Sequence, residues 1–306
     1  MSETFWQWYE QATTEAERRQ IPQYELEWLI HSVLGIEKLQ LRLKSPLNVG
    51  DVSKIKELWQ TRISQRVPVQ YLAGKVQWRG LELEVDSAVL IPRPETELII
   101  EVVNSLMSAS SPLRSGIWLD MGTGSGAIAI GLSQILPSAQ IYAVDISASA
   151  LSVAQRNAQK HQSQISFYQS NWFSAISHLR GQVSGIVSNP PYIPTAEIDR
   201  LAAEVKCHEP LLALDGGRSG LEAVQTLIKE IPNFLIPNGL FVVEVMAGQA
   251  QKVIEMMQQA GDFQELQIHR DYGGHERFVS ARLYSRLAPT GRIKSSQASW
   301  QPLYLR

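Results

Sequence analysis

The sequence predicts an α/β protein centred on a seven-stranded, mostly parallel sheet whose last strand runs antiparallel, with a small N-terminal helical bundle joined to it by a β-hairpin. Three observations predict this. Apolar residues in the first 75 positions recur at helical spacing, and residues 76–92 switch to a period of two. From about residue 95 short apolar runs alternate with amphipathic stretches, the pattern of parallel strands covered by helices on both faces. The expected division is 1–75 helical, 76–92 hairpin connector, 93–286 sheet domain and 287–306 tail.

In the helical part, Leu26, Leu29, Ile30, Val33 and Leu34 fall on one helix face, and Val52, Ile55, Leu58, Trp59 and Ile63 on another before Pro68 stops it. No Gly-rich phosphate loop and no paired-ligand spacing occurs there, so the part reads as a docking module without a metal. In the connector, Leu81, Leu83 and Val85 alternate with Glu82, Glu84 and Asp86, a half-buried strand after a turn at Trp78-Arg79-Gly80. The strands of the sheet are then GIWLD (116–120), QIYAVD (140–145), QISFYQS (164–170), VSGIVS (183–188), GLFVVEV (239–245), FQELQIHR (263–270) and ERFVSARL (276–283). Helices are expected between them, one from about Gly220 to Phe234, and the last two strands, joined by DYGGH, should pair antiparallel. The tail lacks periodicity and is expected to be mobile or loosely docked.

The chain has 306 residues, 44% hydrophobic and 19% charged, with a formal net charge of −2. Such a balance argues against holding nucleic acid by bulk charge. A single cysteine, Cys207, allows no intrachain disulfide and no cysteine metal cluster. The polar start has no signal-peptide core, and no apolar run is long enough to span a bilayer. A cytoplasmic protein off the membrane is expected.

The stretch LDMGTGSGAIAI carries the first chemistry. Gly122, Gly124 and Gly126 permit positive φ and close approach to a ligand, as dinucleotide-binding turns do. The Gly-x-Gly-x-x-Gly step that seats a pyrophosphate is missing, and Asp120 ends the strand where a cationic ammonium or sulfonium would be welcome. Asp145 ends the next strand about 20 residues on, the place of a ribose-binding acid; a helix N-cap by Asp145 or Ser147 is the other reading. Trp172 and Phe173 follow the third strand as candidate walls for an adenine ring.

The second is Asn189-Pro190-Pro191-Tyr192, at the carboxyl edge of the sheet. The Asn189 amide oxygen and the Pro190 carbonyl offer two acceptors for a substrate –NH2, and Tyr192 can stack on a planar amide or base. Gripping both hydrogens aims the nitrogen lone pair at an electrophile and stabilises the charge that develops.

With these motifs in place the chain resembles class I S-adenosylmethionine-dependent methyltransferases, and more closely the release factor glutamine methyltransferases of the PrmC/HemK type. The resemblance runs through RVPVQYLAGKVQWRGLELEVDSAVLIPRPETE, LDMGTGSGAIAI, AVDISASAL, SNPPYI, EPLLALDGGRSGL and DYGGHER, in that order. It implies a Rossmann-like methyltransferase sheet, S-adenosylmethionine as cofactor, and methylation of N5 of the glutamine in the Gly-Gly-Gln motif of class 1 peptide chain release factors. By the same resemblance Gly122, Thr123, Gly124, Ser125 and Gly126 hold the methionine part, Asp145 the ribose, and Trp172 packs near adenine. Asn189 touches cofactor and substrate, Pro190, Pro191 and Tyr192 form the amide pocket, and the helical module docks the release factor. Arg93 and Glu97 fit a substrate contact or a charge cluster at a helix start equally well.

Asn171 departs from the family's Asp, and Met246 from its Gly. His208-Glu209 reads as a surface pair. A ribosomal-protein glutamine methyltransferase, an rRNA guanine methyltransferase and, further off, a DNA adenine-N6 methyltransferase are the rival enzymes, the last needing a cationic DNA-reading face that the near-neutral helical module does not offer. A non-catalytic adenosylmethionine-binding scaffold is the rival outside enzymes. A monomer without stable nucleic-acid binding is expected.

Overall fold

The computed structural model describes residues 4–45 and 52–284. The expected tail, 287–306, lies outside the described residues. Helices α1 (Phe5–Arg18), α2 (Gln23–Leu34), α3 (Lys38–Arg42), α4 (Ser53–Gln65) and α5 (Val69–Ala73) form the N-terminal bundle. Of the apolar positions read as one face, Leu26, Leu29, Ile30, Ile55, Trp59 and Ile63 are buried together, while Val33, Leu34, Val52 and Leu58 pack half-buried at the margin.

Strands β1 (Lys75–Trp78) and β2 (Leu81–Glu84) pair antiparallel with Trp78 opposite Leu81. Arg79 (φ 49°) and Gly80 (φ 73°) make a two-residue turn with both φ positive, the geometry that matches strand twist. Val76, Trp78, Leu81, Leu83 and Val85 join the same core as the main sheet, so the hairpin is packed onto the large domain rather than strung between two modules. Buried Asn157 welds it there: its Oδ1 accepts from Glu84 N at 2.7 Å, and its Nδ2 donates to the carbonyls of Glu84 and Ser125, each at 2.9 Å.

The main sheet contains β3 (Ile117–Met121), β4 (Gln140–Asp145), β5 (Ile165–Gln169), β6 (Val183–Ser188), β7 (Leu235–Glu244), β8 (Phe263–Arg270) and β9 (Glu276–Leu283). Their spatial order is β5-β4-β3-β6-β7-β9-β8, with β9 antiparallel to both neighbours. Strand β9 thus sits inside the sheet and β8 forms its edge. The sequence VSGIVS of β6 is buried along its whole length because helices cover both faces. A side chain at Gly185 would overlap the Trp118 ring, so this strand glycine marks a close approach between β6 and β3.

Helices α6 (Leu98–Ser105), α7 (Ala127–Ile135), α8 (Ala148–Lys160), α11 (Glu222–Glu230) and α12 (Ala250–Ala260) cover the sheet. Short α9 (Ala203–His208) and α10 (Leu211–Leu214) lie in the long β6–α11 connection. The stretch read as one helix over 220–234 is α11 followed by a 3-10 turn at Ile231–Asn233, because Pro232 has no N–H to continue the ladder. No helix among the described residues is long and apolar enough to cross a membrane.

Candidate active site

Strand order reverses between β3 and β6, and the crevice beyond the carboxyl ends of strands at such a switch is where open α/β sheets bind ligands. A cavity of about 490 Å3 opens there. Its walls include Gly122, Thr123, Gly124 and Ser125 after β3, Asp145 and Ile146 after β4, Asn171 and Trp172 after β5, and Asn189 and Pro191 after β6. Gly126 does not line it. A Cβ there would come within 3.2 Å of Ala154 Cα, so this glycine lets α7 close on α8.

The glycine turn is not a phosphate cradle. Gly122 N and Thr123 N both donate to Val144 O, Gly124 N donates to Asp145 Oδ2 at 2.9 Å, and Gly126 N donates to Thr123 O. Those amides point into the protein, which removes the donors a pyrophosphate would need. A Cβ added at Gly122 or Gly124 would meet nothing within 4 Å, so the turn presents open space to the cavity.

Asp120 corrects an expectation. It is fully buried and does not face the ligand; its Oδ2 accepts from Thr123 Oγ1 at 2.6 Å and from Ala129 N at 3.0 Å. It ties the turn to the first turn of α7, and burial pushes its carboxyl up to about 7. Asp145 lines the cavity, its Oδ1 accepting from Ser147 N at 2.9 Å. The carboxylate therefore keeps acceptor capacity toward the cavity. Burial raises its pKa, opposed by the amides of Ser147, Gly124 and Ile146. The helix cap itself is Ser147, whose Oγ accepts from Ala150 N.

Trp172, at φ 50°, faces the cavity. Phe173 does not: it stacks on Phe234 at 4.5 Å in the core. Ile146, 45% exposed and on the cavity wall, is an apolar surface that sequence reading passed over. Asn171 lines the cavity beside Trp172.

Asn189 also borders a second, smaller cavity of about 190 Å3, shared with Arg93, Tyr192, Leu201 and Val205. Asn189 Nδ2 donates to Thr96 Oγ1 at 3.2 Å, and Tyr192 OH donates to buried Glu244 Oε1 at 3.2 Å. Pro190 borders neither cavity. Arg93 lines both cavities and pairs with Glu209 at 2.6 Å. Glu97 is turned away, its Oε1 accepting from Arg79 N at 2.6 Å to hold the hairpin turn. His208-Glu209 is not a surface pair. Glu209 is buried against Arg93, and His208 Nε2 lies 2.8 Å from Gln65 O at the helical bundle.

Sequence reading also passed over the brace behind Asn189–Tyr192. A Cβ at Gly216 would stand 2.8 Å from Pro191 O and from Tyr192 Cα, so the Asp215–Gly220 loop packs directly on that backbone. Gln249 donates to Tyr192 O and accepts from Met246 N, both at 3.0 Å. In that turn the left-handed position falls at Gly248, which explains why Met246 is tolerated.

A Rossmann-like sheet of this order, a glycine turn with inward amides and an acid ending β4 define a class I S-adenosylmethionine-dependent methyltransferase. Residues 96–208 match the family model described as methyltransferase small domain, and residues 5–74 the PrmC N-terminal domain. The release factor glutamine methyltransferase of Synechocystis sp. is 47% identical over 92% of this chain and 97% of its own length. That of Thermosynechococcus vestitus is 43% identical over 91% and 97%. The chain belongs to the release factor glutamine methyltransferase family. At the level of fold alone, the hMettl16 catalytic domain superposes with a TM-score of 0.53 at 13% identity, covering 79% of this chain and 85% of that one.

Proposed function

We propose that this enzyme methylates N5 of the glutamine in the Gly-Gly-Gln motif of class 1 peptide chain release factors, with Asn189 as the clamp on the reacting amide. The observation that carries this reading is the position of Asn189 on the wall between a cofactor-sized cavity and a small one beside Tyr192. In it, Gly122–Ser125 hold the methionine part with Gly126 closing the turn behind them, Asp145 holds the ribose hydroxyls, and Trp172 with Ile146 flanks adenine.

S-adenosylmethionine, when bound, supplies an electrophilic methyl on a sulfonium. The Asn189 amide oxygen, on the wall of both cavities, accepts one hydrogen of the substrate amide; the Pro190 carbonyl is the proposed acceptor for the other, although Pro190 borders neither cavity before substrate enters. Tyr192, on the small cavity, and Pro191, on the large one, wall the amide plane, and Arg93 lines both cavities. The nitrogen held by Asn189 would take the methyl from the bound cofactor, whose sulfonium leaves as a neutral thioether, and the surplus amide proton would leave to solvent. The grip stabilises the developing positive charge, so no strong base is needed before attack.

Docking of the release factor falls to the helical part, 1–75, where Tyr24, Leu39 and Leu43 are exposed. The enzyme acts in the cytoplasm as a monomer without stable nucleic-acid binding, in keeping with its net charge of −2. Labelled methyl from S-adenosylmethionine should enter a purified release factor and be lost when its Gly-Gly-Gln glutamine is replaced by alanine. Label entering DNA, rRNA or a ribosomal protein instead would overturn the reading.

A further inference from the structure

The glutamine amide that Asn189 grips has a second end, a carbonyl oxygen, and a buried carbonyl without a donor is costly. The polar side chains on the small cavity are Arg93, Asn189 and Tyr192. Tyr192 spends its hydroxyl proton on Glu244 Oε1, and Asn189 Nδ2 donates to Thr96 Oγ1. The backbone amides of Ile193 and Ala213, on the same wall, donate to Leu214 O and Pro210 O. Arg93 has donors to spare beyond Nη2, which goes to Glu209 Oε1 at 2.6 Å. Its side chain is 33% exposed and that of Glu209 only 1%, so the arginine end of the pair is the one open to a ligand. The Arg93 carbonyl accepts from buried Trp78 Nε1 at 3.0 Å, which fixes the backbone beneath it.

We propose that Arg93 donates to the carbonyl oxygen of the substrate amide and that Glu209 cancels its charge, so that the pair selects glutamine over glutamate; this rests on the reading of Asn189 as the clamp. The two substrate side chains match in shape and differ in charge and hydrogens: the amide has N–H groups to give, the carboxylate only accepts. A lone guanidinium favours the carboxylate, its bidentate partner. Paired with Glu209 it still offers donors but no net charge. A carboxylate entering the cavity then meets the acceptor oxygen of Asn189 with no net cation to offset it. The counter-charge also serves the reaction, because an uncompensated cation on the carbonyl oxygen would draw the nitrogen lone pair further into the amide.

The pairing is direct. The contact is as short as charge-assisted hydrogen bonds come, and Glu209 Oε2 has no hydrogen-bond partner, so this carboxylate leans on Arg93 for compensation. Burial raises the Glu209 pKa, and Arg93 opposes the rise.

The test uses the full-length enzyme and two purified release factors, one with its Gly-Gly-Gln intact and one with that glutamine replaced by glutamate. Wild type should bind the glutamate form at least about tenfold more weakly than the glutamine form. Glu209→Gln keeps an acceptor for Arg93 and removes the charge, and its melting profile is compared with wild type. It should bind the glutamate form about tenfold more tightly than wild type does, with a lower kcat on the glutamine form and cofactor Kd within about twofold. In Arg93→Met/Glu209→Gln that gain should vanish, because no cation is left to attract the carboxylate. Wild type binding both forms equally, Glu209→Gln leaving the glutamate form's affinity unchanged, or a gain that survives in the double variant would each overturn the selectivity role while leaving the function standing. A change confined to cofactor Kd would place the pair on the cofactor and overturn it too. A wild type that transfers no methyl to the intact release factor would overturn the function and this inference together.

Discussion

Two buried acids do different work in this molecule, although burial pushes the carboxyls of both up to about 7. Asp120 serves the fold of the glycine turn, while Glu244 holds the hydroxyl of Tyr192 in the proposed amide pocket. Asp120 Oδ1 has no hydrogen-bond partner, so part of its charge is buried uncompensated. Its pKa rises from 3.8 to about 7 on folding. The folded state therefore holds this proton more tightly, and the contribution to stability is full below about pH 4 and lost as pH rises to about 7. Asp120→Asn keeps an acceptor for Thr123 and Ala129 and places a neutral –NH2 at the unpartnered position. Its melting temperature should match wild type near pH 4 and exceed it near pH 8, by up to a few kcal/mol of stability. A difference between the two proteins that stays flat over that range would refute the assignment.

At the scale of elements, the reaction edge of the sheet depends on loops that come from far along the chain. The Asp215–Gly220 loop braces the backbone of Pro191 and Tyr192, and Gly216→Ala would press a methyl to 2.8 Å from Pro191 O, Tyr192 Cα and Gly220 O. Backbone atoms cannot rotate away, so a cost of about 1–3 kcal/mol is expected. Turnover should fall more than cofactor affinity, because Gly122–Asp145 lie on other loops; calorimetric Kd and kcat measured on one preparation check this. The strands, the hairpin and both site motifs were legible in the sequence, since periodicity reports burial and since Gly, Pro, Asn and Asp have local turn chemistry. The brace was not, and neither were Arg93 with Glu209, 116 residues apart, nor Asn189 with Thr96, 93 apart. A side-chain pattern records which face is buried but not which distant residue meets it. Phe173 misled for the same reason. An aromatic at a strand end looks alike whether it faces a cavity or, as here, stacks on Phe234.

Across the whole molecule, the helical bundle meets the large domain at the segment that walls the small cavity. Arg62, on α4 with a side chain 2% exposed, donates to Glu25 at 2.6 Å within the bundle and pairs with Glu204 on α9 at 2.9 Å. Arg66 reaches the same Glu204 at 2.7 Å. Val205, next to Glu204 on α9, and Leu201, just before that helix, line the small cavity together with Tyr192. These ion pairs join the bundle to the segment that walls the proposed substrate cavity. Breaking a buried pair by removing one member leaves an uncompensated charge and costs about 3–5 kcal/mol. Arg62→Ala should accordingly lower the urea midpoint and raise KM for the release factor, with cofactor affinity unchanged. Because Arg62 is sealed from solvent, salt at about 0.5 M should shift the wild-type midpoint far less than the substitution does. An Arg62→Ala midpoint equal to wild type would mean that this cluster behaves as an ordinary surface pair and carries no load between the two parts.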